Sequence, residues 1–363
     1  MLLRMDEYPY HQFTETFAGV VGSDPMWNDG HYVCGADQAG TVGFTSNVRL
    51  YANNDVLDGF VCLRHGGRQY NIRVSRRLRS DMDHLGAGPL RIEIVEPLDT
   101  VRLVLEPGDH GFAMDVLAHT TGVPYMGPIE VKRLDGRLLS ERATYEISGE
   151  LEGWVEVGGE RVTLERSTAA MFRNHSWGNQ PGRGGPRLYG VPTPSRRVPG
   201  VRHWVLFHMP DHNGFFFEDP NGRAASGKGA ILTADGVVPV VRAEQDVVFH
   251  EGGRRVQSGT FRLTDVDGVV RDYSFTDLGW VYCQGGGYFG GFDDGLGQGV
   301  FRGEYHQEHE VWDVTHPTLI RDVATGREFE FAHDWAENFV LVRSGEATGL
   351  AHYECVVIRE PGN

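Results

Sequence analysis

Cysteine is scarce in this 363-residue sequence. It contains four cysteines, and no two of them form a Cys-x-x-Cys pair. This number and spacing exclude a disulfide framework and a structural zinc site. They favour buried free thiols in a reducing compartment, so we expect a cytoplasmic protein. The N-terminus also lacks the apolar stretch of a signal peptide, and no run approaches the roughly 18 apolar residues of a membrane span.

Positive charge is the second shortage. The 34 lysines and arginines are outnumbered by 50 aspartates and glutamates, and the formal net charge is −16. An acidic surface repels the phosphate backbone of nucleic acids and anionic membranes, so we expect neither as a partner. The net charge places no limit on the interior of a pocket, which can be apolar and neutral.

Helical periodicity is scarce as well, whereas strand signals dominate. Leu90–Glu96 and Val101–Glu106 alternate apolar and charged residues, which is typical of strands with one buried face. Short helices are expected only near Asp6–Phe17 and Asp334–Asn338. Three segments are typical of hairpins because turn residues separate two apolar runs: Gly153–Leu164, Asp265–Val270 and 338–358. These patterns predict an all-β fold of sandwiches or barrels.

The chain divides into two β-rich blocks. We predict an N-terminal domain over residues 1–186 and a C-terminal domain over residues 187–363. The connection between the blocks covers residues 174–187 and continues into the polar, proline-rich stretch Pro192–Pro199. This composition is typical of a surface loop or lid.

Common nucleotide-binding and hydrolase motifs are absent. The sequence has no Walker loop, no Gly-x-Ser-x-Gly elbow and no His-Glu-x-x-His motif. Gly285, Gly287 and Gly290 formally match the dinucleotide-binding glycine pattern. Because no helical pattern follows them, we interpret them as glycines at strand bends.

The run Arg173-Asn174-His175-Ser176-Trp177-Gly178 is the first candidate site. His175 can exchange a proton near neutral pH, and its polar neighbours can orient it. The functional hypothesis is an acid, base or substrate-orienting histidine in a loop at the seam between the blocks. The structural alternative is a corner in which Trp177 fills the core and His175 satisfies backbone carbonyls.

The second candidate lies within Gly303–Asp313. In a strand, Glu304, His306, Glu308 and Glu310 would share one face, while Tyr305 and Asp313 would lie on the other. A carboxylic acid buried in an apolar cavity would stay protonated and could donate to an alkene or carbonyl. The alternative is a solvated charged face. His306 and His309 would point in opposite directions, so no metal site is expected.

Aromatic side chains could line a pocket for a large apolar ligand or simply fill the core. The C-terminal block supplies Trp204, which stands between His203 and His208, together with Phe215–Phe217 and Tyr288.

A family resemblance rests on two of these segments. Phe172–Gly178, after the hairpin that includes Gly153–Glu160, resembles the central signature of the carotenoid 1,2-hydratase-like, AttH-type lipocalin-like proteins. Trp27–Tyr32 and residues 299–313 also resemble that group. The resemblance implies two consecutive lipocalin-like β-barrel or β-sandwich domains with few short helices, and a hydrophobic ligand site near their junction. Known members hydrate an isolated alkene or template a pericyclic cyclisation, generally without an organic cofactor.

The resemblance therefore implies a cofactor-independent hydratase, dehydratase or isomerase that acts on an alkene of a lipophilic, isoprenoid- or polyketide-like molecule. A pericyclic cyclase that acts by shape and a non-enzymatic carrier are the alternatives. Asn174 stands where relatives have Asp, which weakens His175 as the principal acid. We expect no metal and no cofactor, and a homodimer is left open. The expected catalytic residues are His175, Tyr288, Glu304 and Asp313, and the expected substrate-binding residues are Arg173, Asn174, Trp177, Trp204, Tyr305 and His306.

Overall fold

The computed structural model describes residues 3–11, 14–20, 22–179, 199–218, 229–252, 255–288, 290–330 and 336–358. This part of the chain is almost entirely β-sheet, and the predicted all-β class is confirmed. Its helical segments are short 3₁₀ helices at Arg4–Glu7, Ala52–Asn54 and Cys283–Gly286. No helix in these residues has the length and apolar character needed to cross a membrane.

The strands form two sheets. The first sheet contains β1 (Trp27–Asp37), β2 (Val42–Tyr51), β3 (Val56–His65), β4 (Arg68–Arg77), β5 (Gly86–Ala87), β6 (Leu90–Glu96), β7 (Thr100–Leu105), β8 (Phe112–Thr120), β9 (Tyr125–Met126), β10 (Glu130–Leu134), β11 (Arg137–Val157), β12 (Glu160–Leu164), β13 (Ala169–Asn179), β20 (Tyr305–Asp313), β21 (Ile320–Asp322) and β22 (Glu328–Phe329). The second sheet contains β14 (Gly200–His208), β15 (Asn213–Glu218), β16 (Gly229–Thr233), β17 (Gly236–Phe249), β18 (Val256–Asp265), β19 (Val270–Tyr282), β23 (Ala336–Ser344) and β24 (Ala347–Ile358).

The first sheet curves around an aliphatic core. Its strands follow the order β4-β3-β2-β1-β13-β11-β8-β7-β6-β5, and β5 also contacts β3 and β4. Every second side chain of these strands points inward, as the pleat of a strand requires. The inward side chains include Val33, Leu63, Ile147 and Met171, all of them buried. We call this inward side of the sheet the concave face.

The second sheet is a closed eight-stranded barrel. Its interior is filled by aromatic side chains, among them Phe207, Phe261, Tyr273 and Tyr353. The rings of Phe261 and Tyr273 stack with centroids 4.6 Å apart. Because the barrel is closed, none of its described strands has a free edge that could pair with the first sheet, and it contacts that sheet through the side chains on its outer surface.

The barrel packs against the outward face of the first sheet. A separate cluster of buried residues forms there, with Tyr32 and Phe172 from the first sheet and Leu206, Phe339 and Leu350 from the barrel. We call this region the junction. It is the covered side of strands β1, β11 and β13.

Three strands from the C-terminal half complete the first sheet. β20 pairs with β4, and β21 and β22 follow it outward. Buried Arg73 on β4 anchors β20, because its guanidinium donates hydrogen bonds to both Glu308 and Glu310. Residues 305–329 therefore extend the sheet of the N-terminal block. The proposed boundary at residues 186 and 187 lies outside the described residues and stays a prediction.

Local patterns predicted the hairpins better than the helices. Gly158 and Gly159 turn between β11 and β12, and the hairpins at Asp265–Val270 and at 338–358 are confirmed as β18–β19 and β23–β24. The helix predicted at Asp334–Asn338 is wrong where the chain is described, because residues from Ala336 onward belong to β23. Within Asp6–Phe17 the described helical residues are only those of the Arg4–Glu7 turn.

Candidate active site

The predicted loop at residues 173–178 is a strand. These residues belong to β13, which pairs with β1 on one side and β11 on the other. Because side chains alternate along a strand, Arg173, His175 and Trp177 point to the concave face, whereas Asn174 points to the junction. The prediction that these residues form one loop site is therefore wrong, since the sheet separates them into two groups.

His175 is held by hydrogen bonds at both ring nitrogens. Its Nε2 lies 2.6 Å from Asp29 Oδ1, and its Nδ1 lies 3.2 Å from the Tyr145 hydroxyl. The ring also contacts that of His31, with centroids 4.1 Å apart and planes tilted by 31°, and lies 5.3 Å from the ring of Trp177. Asp29 only accepts hydrogen bonds, so the neutral histidine donates from Nε2 and accepts at Nδ1. The carboxylate that holds His175 thus comes from β1, whereas residue 174 faces the other side of the sheet.

Arg173 lies deeper on the same face. It is only 2% exposed, and burial lowers the pKa of its guanidinium. The guanidinium is hydrogen-bonded to the Tyr145 hydroxyl. Burial also raises the pKa of Tyr145, so this hydroxyl stays protonated. Arg173, Tyr145, His175 and Asp29 therefore form a chain of hydrogen bonds from the core to the half-exposed Asp29 carboxylate.

The junction side of the same strands contains a buried carboxyl group that the sequence did not single out. Glu146 of β11 is 7% exposed and lies directly opposite Asn174 of β13. Burial raises the pKa of Glu146 to about 8, although Arg142 and the indole N–H of Trp204 act to lower it. Its Oε2 has no hydrogen-bond partner among the described residues. At neutral pH this group is a carboxylic acid with a proton to give.

Aromatic rings surround Glu146. Trp204 of β14 donates its indole N–H to the carboxyl group, and its ring lies 6.3 Å from that of Tyr32. Tyr125 of β9 lies opposite Glu146 in the sheet, and its ring lies 5.4 Å from Phe215 of the barrel. An acid among aromatic faces can protonate an alkene and stabilise the resulting cation.

A cavity of about 370 Å³ opens at one end of the junction. It is lined by residues of both sheets, including Thr121, Glu150, His208 and Leu350. This volume lies within the range of small-molecule sites. Glu150 and Glu146 lie on one face of β11, four residues or about 13 Å apart. The cavity and the buried acid therefore belong to the same interface between the sheets.

The residues predicted on the strand at 304–313 do not join either group. β20 lies at the far side of β4, five strands away from β13 in the sheet. Glu304 is exposed at the surface, where Arg79 and Arg77 bind its carboxylate and lower its pKa. Asp313 accepts hydrogen bonds from Thr315, which also lower its pKa. Both groups are ionised and solvated, so the prediction of a buried proton donor there is wrong.

The remaining predicted residues lie in two places, on β20 and in the junction. His306 bonds to Glu308 on the outer edge of the sheet, as their predicted shared face requires, and the exposed Tyr305 donates to Gln307. Tyr288 is buried in the junction cluster, with its ring 5.6 Å from Phe60. Trp204 is the predicted substrate-binding residue that contacts the neutral acid.

The chain can be placed in a family by its sequence. A model of the family of unknown function DUF8625 matches residues 2–358. The chain belongs to DUF8625. No curated protein matches it, and the likeness of this DUF8625 member to the carotenoid 1,2-hydratase-like proteins stays a resemblance.

Solved structures with a related course of the chain share little sequence with this DUF8625 protein. Kievitone hydratase from Nectria haematococca is 10% identical, with 90% of this chain and 88% of that chain covered and a TM-score of 0.43. CghA is 8% identical, with 93% and 90% covered and a TM-score of 0.47. CghA with Sch210972 gives 8% identity, 92% and 89% coverage and a TM-score of 0.46. Likeness at this level says nothing about the chemistry of this chain.

Proposed function

We propose that this protein is a cofactor-independent hydratase, dehydratase or isomerase that acts on an alkene of a lipophilic small molecule at the junction. The observation that carries the proposal is the neutral carboxylic acid of Glu146, buried with one oxygen unpartnered beside Trp204. A buried acid with a pKa near the working pH is suited to give and regain a proton.

The proposed hydration proceeds in two steps. Glu146 donates its proton to one alkene carbon, and the positive charge develops on the other carbon. The faces of the surrounding aromatic rings stabilise this cation. Water then adds to the cation, and the proton that it releases returns to the Glu146 carboxylate. Dehydration is the reverse, and loss of a different proton from the cation gives an isomerised alkene.

The direct test is incorporation of isotopically labelled water. The probes are prenylated phenols, acyclic isoprenoids and unsaturated polyketide lactones, each incubated with the protein in oxygen-labelled or deuterated water. We expect enzyme-dependent uptake of labelled water or of deuterium by at least one class, as read by mass spectrometry. Uptake that persists in Glu146→Gln would contradict the assigned acid, and cyclisation without uptake would favour the cyclase that acts by shape.

Replacing Trp204 by Phe should move the pH dependence of turnover. The indole N–H lowers the pKa of Glu146, so its loss raises that pKa further above its present value of about 8. Because the acid must be protonated to react, kcat/KM of the natural protein should fall by about tenfold per pH unit above the pKa. In Trp204→Phe this fall should begin at higher pH. An unchanged profile would show that the indole does not act on the catalytic acid.

A further inference from the structure

Arg173 on the concave face has donors that nothing in the described protein uses. Its side chain is 98% buried by area, since its relative exposure is 2%. Its Nε and Nη2 have no hydrogen-bond partner within the described residues, and no carboxylate there lies in ion-pair distance. The guanidinium contacts the Tyr145 hydroxyl instead. Leaving such donors unpaired costs about 1 to 3 kcal/mol in a protein interior.

The unused edge has the geometry of a carboxylate clamp. The Nε–H and the adjacent Nη2–H of a guanidinium point in parallel and match the two oxygens of one carboxylate. Arg102 of this protein shows the pairing, because its Nε lies 2.7 Å and its Nη2 lies 2.6 Å from the two oxygens of Asp115. In Arg173 the same two nitrogens are the unpartnered ones.

The surroundings of Arg173 favour an anion. Burial lowers the pKa of His31 well below its usual value, and the positive charges of Arg173 and Arg49 lower it further. Two cationic side chains are thus close enough to His31 to disfavour its protonated form. The charge of Asp99 acts to raise the pKa of Arg173, but its carboxylate makes no hydrogen bond or ion pair with the guanidinium. A ligand with negative charge would thus compensate a buried cation that the protein leaves without a carboxylate contact.

Three inward-facing side chains of β13 form a row that ends at Arg173. Trp177, His175 and Arg173 occupy successive inward positions, at about 7 Å per pair of residues. The outer end of this row is partly open, since the side chain of Asp29 is 50% exposed and that of His175 is 23% exposed. Nδ1 of His31 lies in the same group of side chains and has no hydrogen-bond partner in the described part of the chain.

We propose that the concave face holds a second binding site, separate from the junction, in which Arg173 clamps the carboxylate of a small organic acid through Nε and Nη2. The partly open row of Trp177 and His175 forms its entrance. A planar carboxylate fits the parallel donors better than a tetrahedral phosphate, because its two oxygens lie in one plane with the Nε–H and Nη2–H. The site does not depend on the proposed chemistry at Glu146.

Calorimetric titration of the full-length protein tests this site. The probes are sodium acetate, butyrate and benzoate, with sodium chloride and inorganic phosphate at the same ionic strength. We expect saturable binding of at least one carboxylate. Arg173→Lys keeps the charge but loses the fork, and should weaken that binding by about tenfold or more. Arg173→Met should abolish it.

Arg102→Lys is the matched control, because its fork is already filled by Asp115. Carboxylate binding should be unchanged in this variant. Absence of saturable carboxylate binding by the natural protein would overturn the proposal, as would undiminished binding by Arg173→Met or preferential binding of phosphate. Thermal unfolding of each variant verifies its fold, and Glu146→Gln should bind the carboxylate normally, which separates this site from the junction.

Discussion

Glu146→Gln should lose turnover and at the same time gain stability at alkaline pH. Glutamine keeps the size of the neutral acid and an oxygen that can accept the Trp204 indole N–H, but it carries no acidic proton. General acids contribute about 10²- to 10⁴-fold to rates, so turnover should fall by that factor. If the variant lost activity because it misfolded, its free energy of unfolding would be lower than that of the natural protein, not higher.

The gain in stability follows from the raised pKa of Glu146. The carboxyl group of the unfolded chain has the usual glutamate pKa of about 4.5, whereas the pKa of the folded one is raised to about 8. Between these values the folded state binds more protons than the unfolded state, so the free energy of unfolding decreases as pH rises. The total effect is of the order of 5 kcal/mol, since the two pKa values differ by about 3.5 units and each unit corresponds to 1.36 kcal/mol. Glu146→Gln removes this loss.

Denaturant unfolding at acidic, neutral and alkaline pH measures the effect. The difference in stability between Glu146→Gln and the natural protein should grow as pH rises and level off above about pH 8. Glu150→Gln is the matched control, because Glu150 lies on the same face of β11 but is paired with Arg166 near solvent. A difference that does not vary with pH would contradict a neutral Glu146 in the folded protein.

Glu146 was missed by the sequence analysis because local patterns predict strands and turns, but not which strand face another sheet covers. Alternation along the chain predicted strands and hairpins, because the pleat and the Gly158-Gly159 turn are local properties. The same alternation places Glu146 on a polar face of its strand, and a polar face is ordinarily expected to be exposed to solvent. The barrel covers that face through contacts between residues such as Glu146 and Trp204, 58 positions apart. No local signal distinguishes a polar face that is covered in this way.

The same limit explains the two misplaced groups. Glu304 and Asp313 were predicted as acids on the condition that their strand face is buried beside a histidine. Glu304 is instead exposed, and Arg79 and Thr315 hold the two carboxylates ionised. Asp29, in turn, serves His175 from the neighbouring strand. Asp29 lies within Trp27–Tyr32, a segment included in the family resemblance, but nothing in the sequence linked it to His175. The register that pairs His31 with His175 is a long-range property.

Two buried arginines should respond to substitution with opposite signs. Arg73 and Arg173 are equally buried, at 1% and 2% exposure. Arg73 donates to Glu308, to Glu310 and to the carbonyl of Gly285. Arg73→Met would leave the carboxylates of Glu308 and Glu310 without their cation, and should lower the free energy of unfolding by about 3 to 5 kcal/mol. Arg173→Met removes unpaired donors, and should raise that free energy by about 1 to 2 kcal/mol.

Unfolding in denaturant, with and without a carboxylate, measures both halves of this prediction. Adding the carboxylate should stabilise the natural protein and leave Arg173→Met unchanged, because a ligand stabilises only a fold that binds it. Equal losses of stability in the two variants would mean that the Arg173 fork is satisfied in the folded protein. The opposite signs would mean that Arg173 lowers the stability of the empty protein and raises that of the liganded one, which is the behaviour of a residue retained for binding and not for folding.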